Sequence, residues 1–184
     1  MEGSSMKPRV LAGLLTLALV PAAAGAASLG LGVYGGMSSP ILNDTAGNGP
    51  QYGVRAPVTL APMLIVEPFY AQSALGDVDQ SFGGSSYTRS GPDVKMFGAN
   101  AVFSFGEGVK FYPLVGIGST KITQSGWADI TDTSLNFGLG FGFRPMAKLC
   151  VDVRGELNAV VTGDTSRKFG NLTAGVSYAL FGSE

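Results

Sequence analysis

Leu135-Asn136-Phe137-Gly138-Leu139-Gly140-Phe141-Gly142-Phe143-Arg144 alternates without a fault. Its odd positions carry Leu, Phe, Leu, Phe and Phe, and its even positions Asn, Gly, Gly, Gly and Arg. Side chains of a β-strand point to opposite faces with period two, so this stretch is a strand with one apolar and one polar or empty face. The next segment repeats the pattern with charge. Leu149, Val151, Val153, Leu157, Ala159 and Val161 share one face, and Cys150, Asp152, Arg154, Glu156 and Asn158 share the other. A slip of one residue would exchange the faces, so register is under strong constraint.

Carried outward along the chain, the same template gives eight strands, at 29–38, 52–60, 63–73, 94–105, 109–123, 133–144, 148–162 and 168–181. No segment downstream of residue 26 has a 3.6-residue apolar stripe. The connections alternate in length. Ala61-Pro62, Gly106-Glu107-Gly108 and Pro145-Met146-Ala147 are tight, whereas 39–51, 74–93, 124–132 and 163–167 are long and rich in Gly, Ser, Asp, Asn and Thr. An up-and-down sheet of this kind collects its short turns at one end and its long loops at the other.

Composition decides which solvent meets which face. The 184 residues are 45% hydrophobic but only 14% charged, and mean hydropathy is +0.27. A soluble sandwich made of these strands would expose Gly- and Ser-rich faces carrying too few charges for a normal soluble surface. A membrane barrel reverses the assignment: lipid takes the apolar face, the lumen takes the other, and about 9–11 residues suffice for a strand to cross. The expected fold class is therefore all-β, an eight-stranded antiparallel up-and-down transmembrane β-barrel.

The chain opens with an address. Met6-Lys7-Pro8-Arg9 supplies positive charge, Val10–Val20 an apolar run, and Ala24-Gly25-Ala26 a small-x-small cleavage site, the pattern of a secretory signal peptide. The run is far short of the about 20 residues that a membrane-spanning helix needs. The expected organisation is a signal peptide at 1–26 and one barrel domain at 27–184. Removing Glu2, Lys7 and Arg9 with the signal leaves a net charge of −2 on 158 residues.

A narrow eight-stranded barrel has an interior that side chains fill, and buried charges there need partners. Parity places Arg55, Glu67, Arg144, Asp152, Arg154 and Glu156 inward, three positive and three negative. Gly138, Gly140 and Gly142 then leave room for the long side chains opposite. Phe103, Phe105, Phe143 and Tyr178 fall near strand ends on the short-turn side, where an interfacial aromatic belt would lie. Pro57, Pro68 and Pro113 each delete a ladder hydrogen bond, and bulges are the expected accommodation. Between 109 and 123 parity is ambiguous; Phe111, Val115 and Ile117 are assigned to lipid in preference to Tyr112 and Leu114.

Together with the signal peptide, the first strand Leu29-Gly30-Leu31-Gly32-Val33-Tyr34-Gly35-Gly36 and the last strand Leu172-Thr173-Ala174-Gly175-Val176-Ser177-Tyr178-Ala179-Leu180-Phe181 make the chain resemble the outer-membrane β-barrel domain family, the eight-stranded barrels similar to OmpA and OmpX. The resemblance covers essentially all of the chain after the signal. It implies insertion into a Gram-negative outer membrane, termini in the periplasm, long loops outside the cell, and as partners the membrane lipid, periplasmic chaperones and the barrel-insertion machinery. Members usually end in an aromatic residue that this machinery reads. Here Phe181 is followed by Gly182-Ser183-Glu184, a departure from that pattern.

Much chemistry is excluded by composition. There is no histidine, which removes His-based triads, bases and metal ligands, and Cys150 is the only cysteine, which removes disulfides and cysteine zinc clusters. Lys+Arg 12 against Asp+Glu 13 leaves no basic surplus for nucleic acid. No catalytic residue, cofactor or metal site is expected. Asp77-Val78-Asp79-Gln80-Ser81 resembles the start of a calcium loop, but position twelve is Thr88 rather than the required Glu, so a solvated acidic loop is expected. Inward Cys150 would be an inert filler. Tyr87 and Trp127 in long loops are candidate contacts for an unknown extracellular partner, or sit at the lipid headgroup boundary. The leading reading of function is a non-enzymatic barrel that anchors its outer loops in a structural or surface-interaction role; the alternatives are a small porin-like channel and a secreted lipocalin-like carrier.

Overall fold

The computed structural model describes residues 28–41, 46–82, 85–161 and 166–182. The expected signal peptide and the Ser183-Glu184 end lie outside these residues. Eleven strands follow in order: β1 (Ser28–Ile41), β2 (Gly49–Arg55), β3 (Val58–Ala61), β4 (Leu64–Ala74), β5 (Val78–Phe82), β6 (Ser85–Arg89), β7 (Asp93–Phe103), β8 (Val109–Thr123), β9 (Ile130–Met146), β10 (Leu149–Val161) and β11 (Ser166–Phe181). β5 and β6 form a separate hairpin; the other strands make one antiparallel sheet in which β11 pairs with β1 from Leu29↔Phe181 to Ile41↔Lys168. Because β2 and β3 are one strand interrupted, the sheet is a closed eight-stranded barrel without a free edge.

The interruption is the work of two prolines. β2 pairs with β4 as far as Arg55↔Phe69, β3 resumes at Val58↔Val66, and Pro57 and Pro68 both sit in the gap. Gly30 N–H still donates to the Pro57 carbonyl at 2.8 Å and Ala56 N–H to the Pro68 carbonyl at 2.9 Å; the return bonds are those that proline cannot make. Pro113 behaves similarly. The β7–β8 ladder stops at Val102↔Leu114 and reappears as a bridge between Phe105 and Phe111. The expected bulges are therefore absent at the prolines: register continues across each gap. Register shifts occur instead near the turn end, at Leu29/Gly30, Thr59/Ala61 and Leu149/Val151.

Burial is inverted relative to a soluble protein. Along β9, Leu135, Phe137, Leu139, Phe141 and Phe143 are exposed, while Ser134, Asn136, Gly140 and Gly142 are buried. Leu31, Val33, Met37, Val153, Leu172 and Val176 are likewise exposed, and Arg55, Glu67, Asp152 and Arg154 are buried. In β8 the outward residues are Val115 and Ile117, at 43% and 59% exposure, and Tyr112 and Leu114 are inside at 5% each, which fixes the ambiguous parity. Phe103, Phe105, Phe143 and Tyr178 are exposed at the turn end, where Phe111 and Phe141 add a ring contact of 5.3 Å.

The long connection 74–93 differs from expectation. Its middle is the β5–β6 hairpin, paired from Val78↔Arg89 to Phe82↔Ser85. Gly- and Ser-rich composition at 81–86 reads as loop, yet Gln80, Tyr87 and Thr88 supply cross-strand contacts that a hairpin needs.

Candidate functional site

Two regions concentrate chemistry: the lumen and the outer loops. At mid-lumen, β10 presents Asp152 and Arg154, β2 presents Arg55 and β4 presents Glu67. Arg154 donates twice to Glu67, Nη1 to Oε1 at 2.6 Å and Nη2 to Oε2 at 3.0 Å, a bidentate pair. Arg55 donates through Nη2 to Asp152 Oδ2 at 2.6 Å and through Nε to Ser177 Oγ at 3.1 Å. Cross-contacts of 3.8 Å (Arg55 to Glu67) and 3.4 Å (Arg154 to Asp152) join the pairs into one cluster. Each guanidinium also lies over a tyrosine ring, Arg55 over Tyr34 at 5.5 Å and Arg154 over Tyr112 at 5.9 Å.

Of the six charges read as inward, these four interlock. Glu156 lies one step toward the loop end, its stem against Gly138, where a Cβ would come within 2.9 Å of Glu156 Cγ. Arg144 is half-buried at the turn end, in the lining of a cavity of about 70 Å³ that also includes Ser28, Thr59, Ser104, Cys150 and Lys148. Cys150 Sγ is 3.5 Å from Tyr112 Oη. The inward glycines of β9 have a steric cause. A Cβ at Gly140 would stand 2.8 Å from Arg154 Cγ, and one at Gly142 2.7 Å from Tyr112. Valine at 142 is expected to push Tyr112 off the Arg154 guanidinium and to cost about 1–3 kcal/mol through overpacking, read as a lower urea midpoint of unfolding in detergent.

Toward the loop end the lumen changes character. Asn100, Asn136, Asn158 and Thr120 are buried, with Asn136 Nδ2 donating to Asn100 Oδ1 at 3.2 Å. Beyond them Ala71, Leu75, Val94, Met96, Ile122, Val160 and Phe169 pack into an apolar plug with Tyr34, Phe69 and Ile130 against it. Sequence reasoning missed this plug. Parity could have found it, since these residues share the inward set of their strands, but residue type pointed the other way.

Outside the barrel, two loops are tied together. The Arg89 guanidinium stacks on Trp127 at 5.1 Å, Arg89 Nη2 donates to Gln124 Oε1 at 3.3 Å, and Gln124 Nε2 donates to the Ser90 carbonyl at 2.6 Å. Trp127 and Tyr87 remain exposed, at 67% and 52%, and Tyr87 Oη donates to Gln80 Oε1 at 2.7 Å. Asp77 and Asp79 are engaged by the hairpin itself: Gly91 N–H donates to Asp77 Oδ1 at 2.9 Å, and Thr88 Oγ1 donates to Asp79 Oδ1 at 2.7 Å. In the 124–129 loop, the hydrogen-bonded ion pair of 2.7 Å with Lys121 holds the Asp129 carboxyl below its usual range. An exposed cation–π contact is worth about 0.5–1 kcal/mol, so Trp127→Ala is expected to speed tryptic cleavage after Arg89 by about two- to fivefold, read by mass spectrometry.

A family profile, the outer membrane protein beta-barrel domain, matches residues 10–179. No curated protein matches the chain. Among solved structures, Neisserial surface protein A superposes with a TM-score of 0.59 at 17% identity, covering 83% of this chain and 96% of that one. The N-terminal β-barrel domain of OprF from Pseudomonas aeruginosa gives 0.57 at 12% identity over 82% and 97%, and a major outer membrane protein from Thermus thermophilus 0.54 at 14% over 84% and 100%. At these identities the likeness is one of fold.

Proposed function

This chain belongs to the outer membrane protein beta-barrel domain family, and from that premise we propose that it is a non-enzymatic outer-membrane barrel whose role, structural or in surface interaction, is exercised through its long loops. The barrel itself is an integral outer-membrane protein. The observation that carries the proposal is the filling of the lumen: a four-residue ion cluster at mid-height and an apolar plug at the loop end leave the barrel as an anchor. The loop end, by contrast, has built structure, with the β5–β6 hairpin held against the 124–129 loop through Arg89, Gln124 and Trp127. The absence of histidine from the sequence removes the usual general base and favours a non-catalytic role.

The carrier alternative needed the apolar face to line a cavity, and that face is the exterior. The pore alternative requires both the ion cluster and the plug to rearrange. Purified protein in a planar bilayer is expected to give no stepwise conductance; regular single-channel steps from the unaltered chain would overturn the anchor reading in favour of the pore.

A further inference from the structure

The outer wall of the barrel carries a shallow, open trough of about 1000 Å³ over β1, β8, β9, β10 and β11. Its floor is Gly155, its walls are Met37, Phe137, Leu139, Leu157 and Leu172, and at its upper end the Ile41 side chain lies over Gly170, where a Cβ would stand 3.1 Å from Ile41 Cδ1. Gly155 is unusual among the strand glycines. It pairs regularly with Leu139 on one side and Leu172 on the other, so no bulge explains it, and a Cβ there would meet nothing within 4 Å. A glycine inside a regular strand marks a bulge, a bend or the close approach of a ligand. With regular pairing on both sides and open space where its Cβ would stand, Gly155 leaves a gap in the lipid-facing wall.

The upper end of the groove carries charge. Ile41, which lines it, pairs directly with Lys168. Lys168 alternates with the plug residue Phe169 and therefore points outward, on the same face as Gly170 and about 7 Å further along the strand toward the long loops. A cation at the headgroup level above an open apolar trough complements a phosphate joined to a hydrocarbon tail.

We propose that this groove is the seat of one membrane lipid with an exposed phosphate, its acyl chain lying over Gly155 and against Ile41 and its phosphate beside Lys168. The proposal rests on the membrane reading of the outer face. It is tested with the full chain in nanodiscs of phosphatidylcholine containing phosphatidic acid, by native mass spectrometry after release into detergent. One phosphatidic acid is expected to stay bound to the unaltered protein. Gly155→Leu, for which the backbone has open space, is expected to cut this retention at least about tenfold, the loss when roughly two methylenes leave an apolar wall. Lys168→Gln is expected to cut it about fivefold, the contribution of one cation at an anionic lipid surface. Both variants are expected to enter nanodiscs like the parent. Equal retention of phosphatidylcholine, unchanged retention in Gly155→Leu, or a two-copy mass in place of the lipid adduct would overturn the proposal. Failure of the parent to enter nanodiscs at all would instead strike the membrane reading on which it stands.

Discussion

Arg154→Met is expected to destabilise the barrel by about 3–5 kcal/mol, because removing one partner of a buried ion pair leaves the other charge uncompensated. Arg154 donates two hydrogen bonds to Glu67 and approaches Asp152, with a side chain only 6% exposed. Without it, Glu67, Asp152 and the neighbouring Glu156 face Arg55 alone. The double variant Glu67→Met with Arg154→Met is expected to regain most of the loss, since an apolar pair of similar volume often replaces a buried ion pair at little cost. It also leaves the Arg55–Asp152 pair intact. Equilibrium unfolding in urea, in detergent or vesicles, checks both. A loss below about 1 kcal/mol for the single variant, the size of an exposed pair, would mean that the cluster is solvated.

The second large effect belongs to the outer wall. Leu139 sits near the middle of β9, 54% exposed, and is flanked by Pro113 and Gly155 on the neighbouring strands. Leu139→Arg places a guanidinium at the hydrocarbon midplane and is expected to cost about 2–4 kcal/mol, whereas the same change near a membrane interface costs about 0–1 kcal/mol. Val161, at the loop end of β10 and equally exposed, is the matching interfacial position. In refolding titrations into vesicles, Leu139→Arg should therefore shift the midpoint well beyond Val161→Arg. Equal small shifts would mean that water already wets position 139.

How much of this was legible beforehand depended on whether local pattern carried the information. The alternation at 135–144 and 149–161 is local, and from it the strands, their faces and the closed all-β architecture follow. The partners inside the lumen are not local. Arg55 meets Asp152 across 97 positions of sequence, through a register set by the closure of β11 on β1. The loop-end plug escaped notice for a related reason. Val94, Met96, Ile122, Val160 and Phe169 have the same residue types as the lipid-facing set, so only their parity distinguishes them, and reading by type assigns apolar residues to lipid. The β5–β6 hairpin was hidden by Ser- and Gly-rich composition. The prolines read in the sequence as costs to the ladder, and the barrel accommodates them by dropping single ladder bonds rather than by bulging. The outer trough has no signature in the sequence, because a strand glycine such as Gly155 reads equally as packing space inside or as a gap outside.

Every step from parity to function requires the odd-numbered face of β9 to meet hydrocarbon. Trp127 is the one tryptophan in the chain, so Trp127→Phe with Leu139→Trp places a single reporter at that face. In vesicles whose acyl chains are brominated near the bilayer centre, its fluorescence is expected to be strongly quenched, and aqueous acrylamide to leave it nearly untouched. Quenching by acrylamide with none by the brominated lipid would place Leu139 in water and contradict the account.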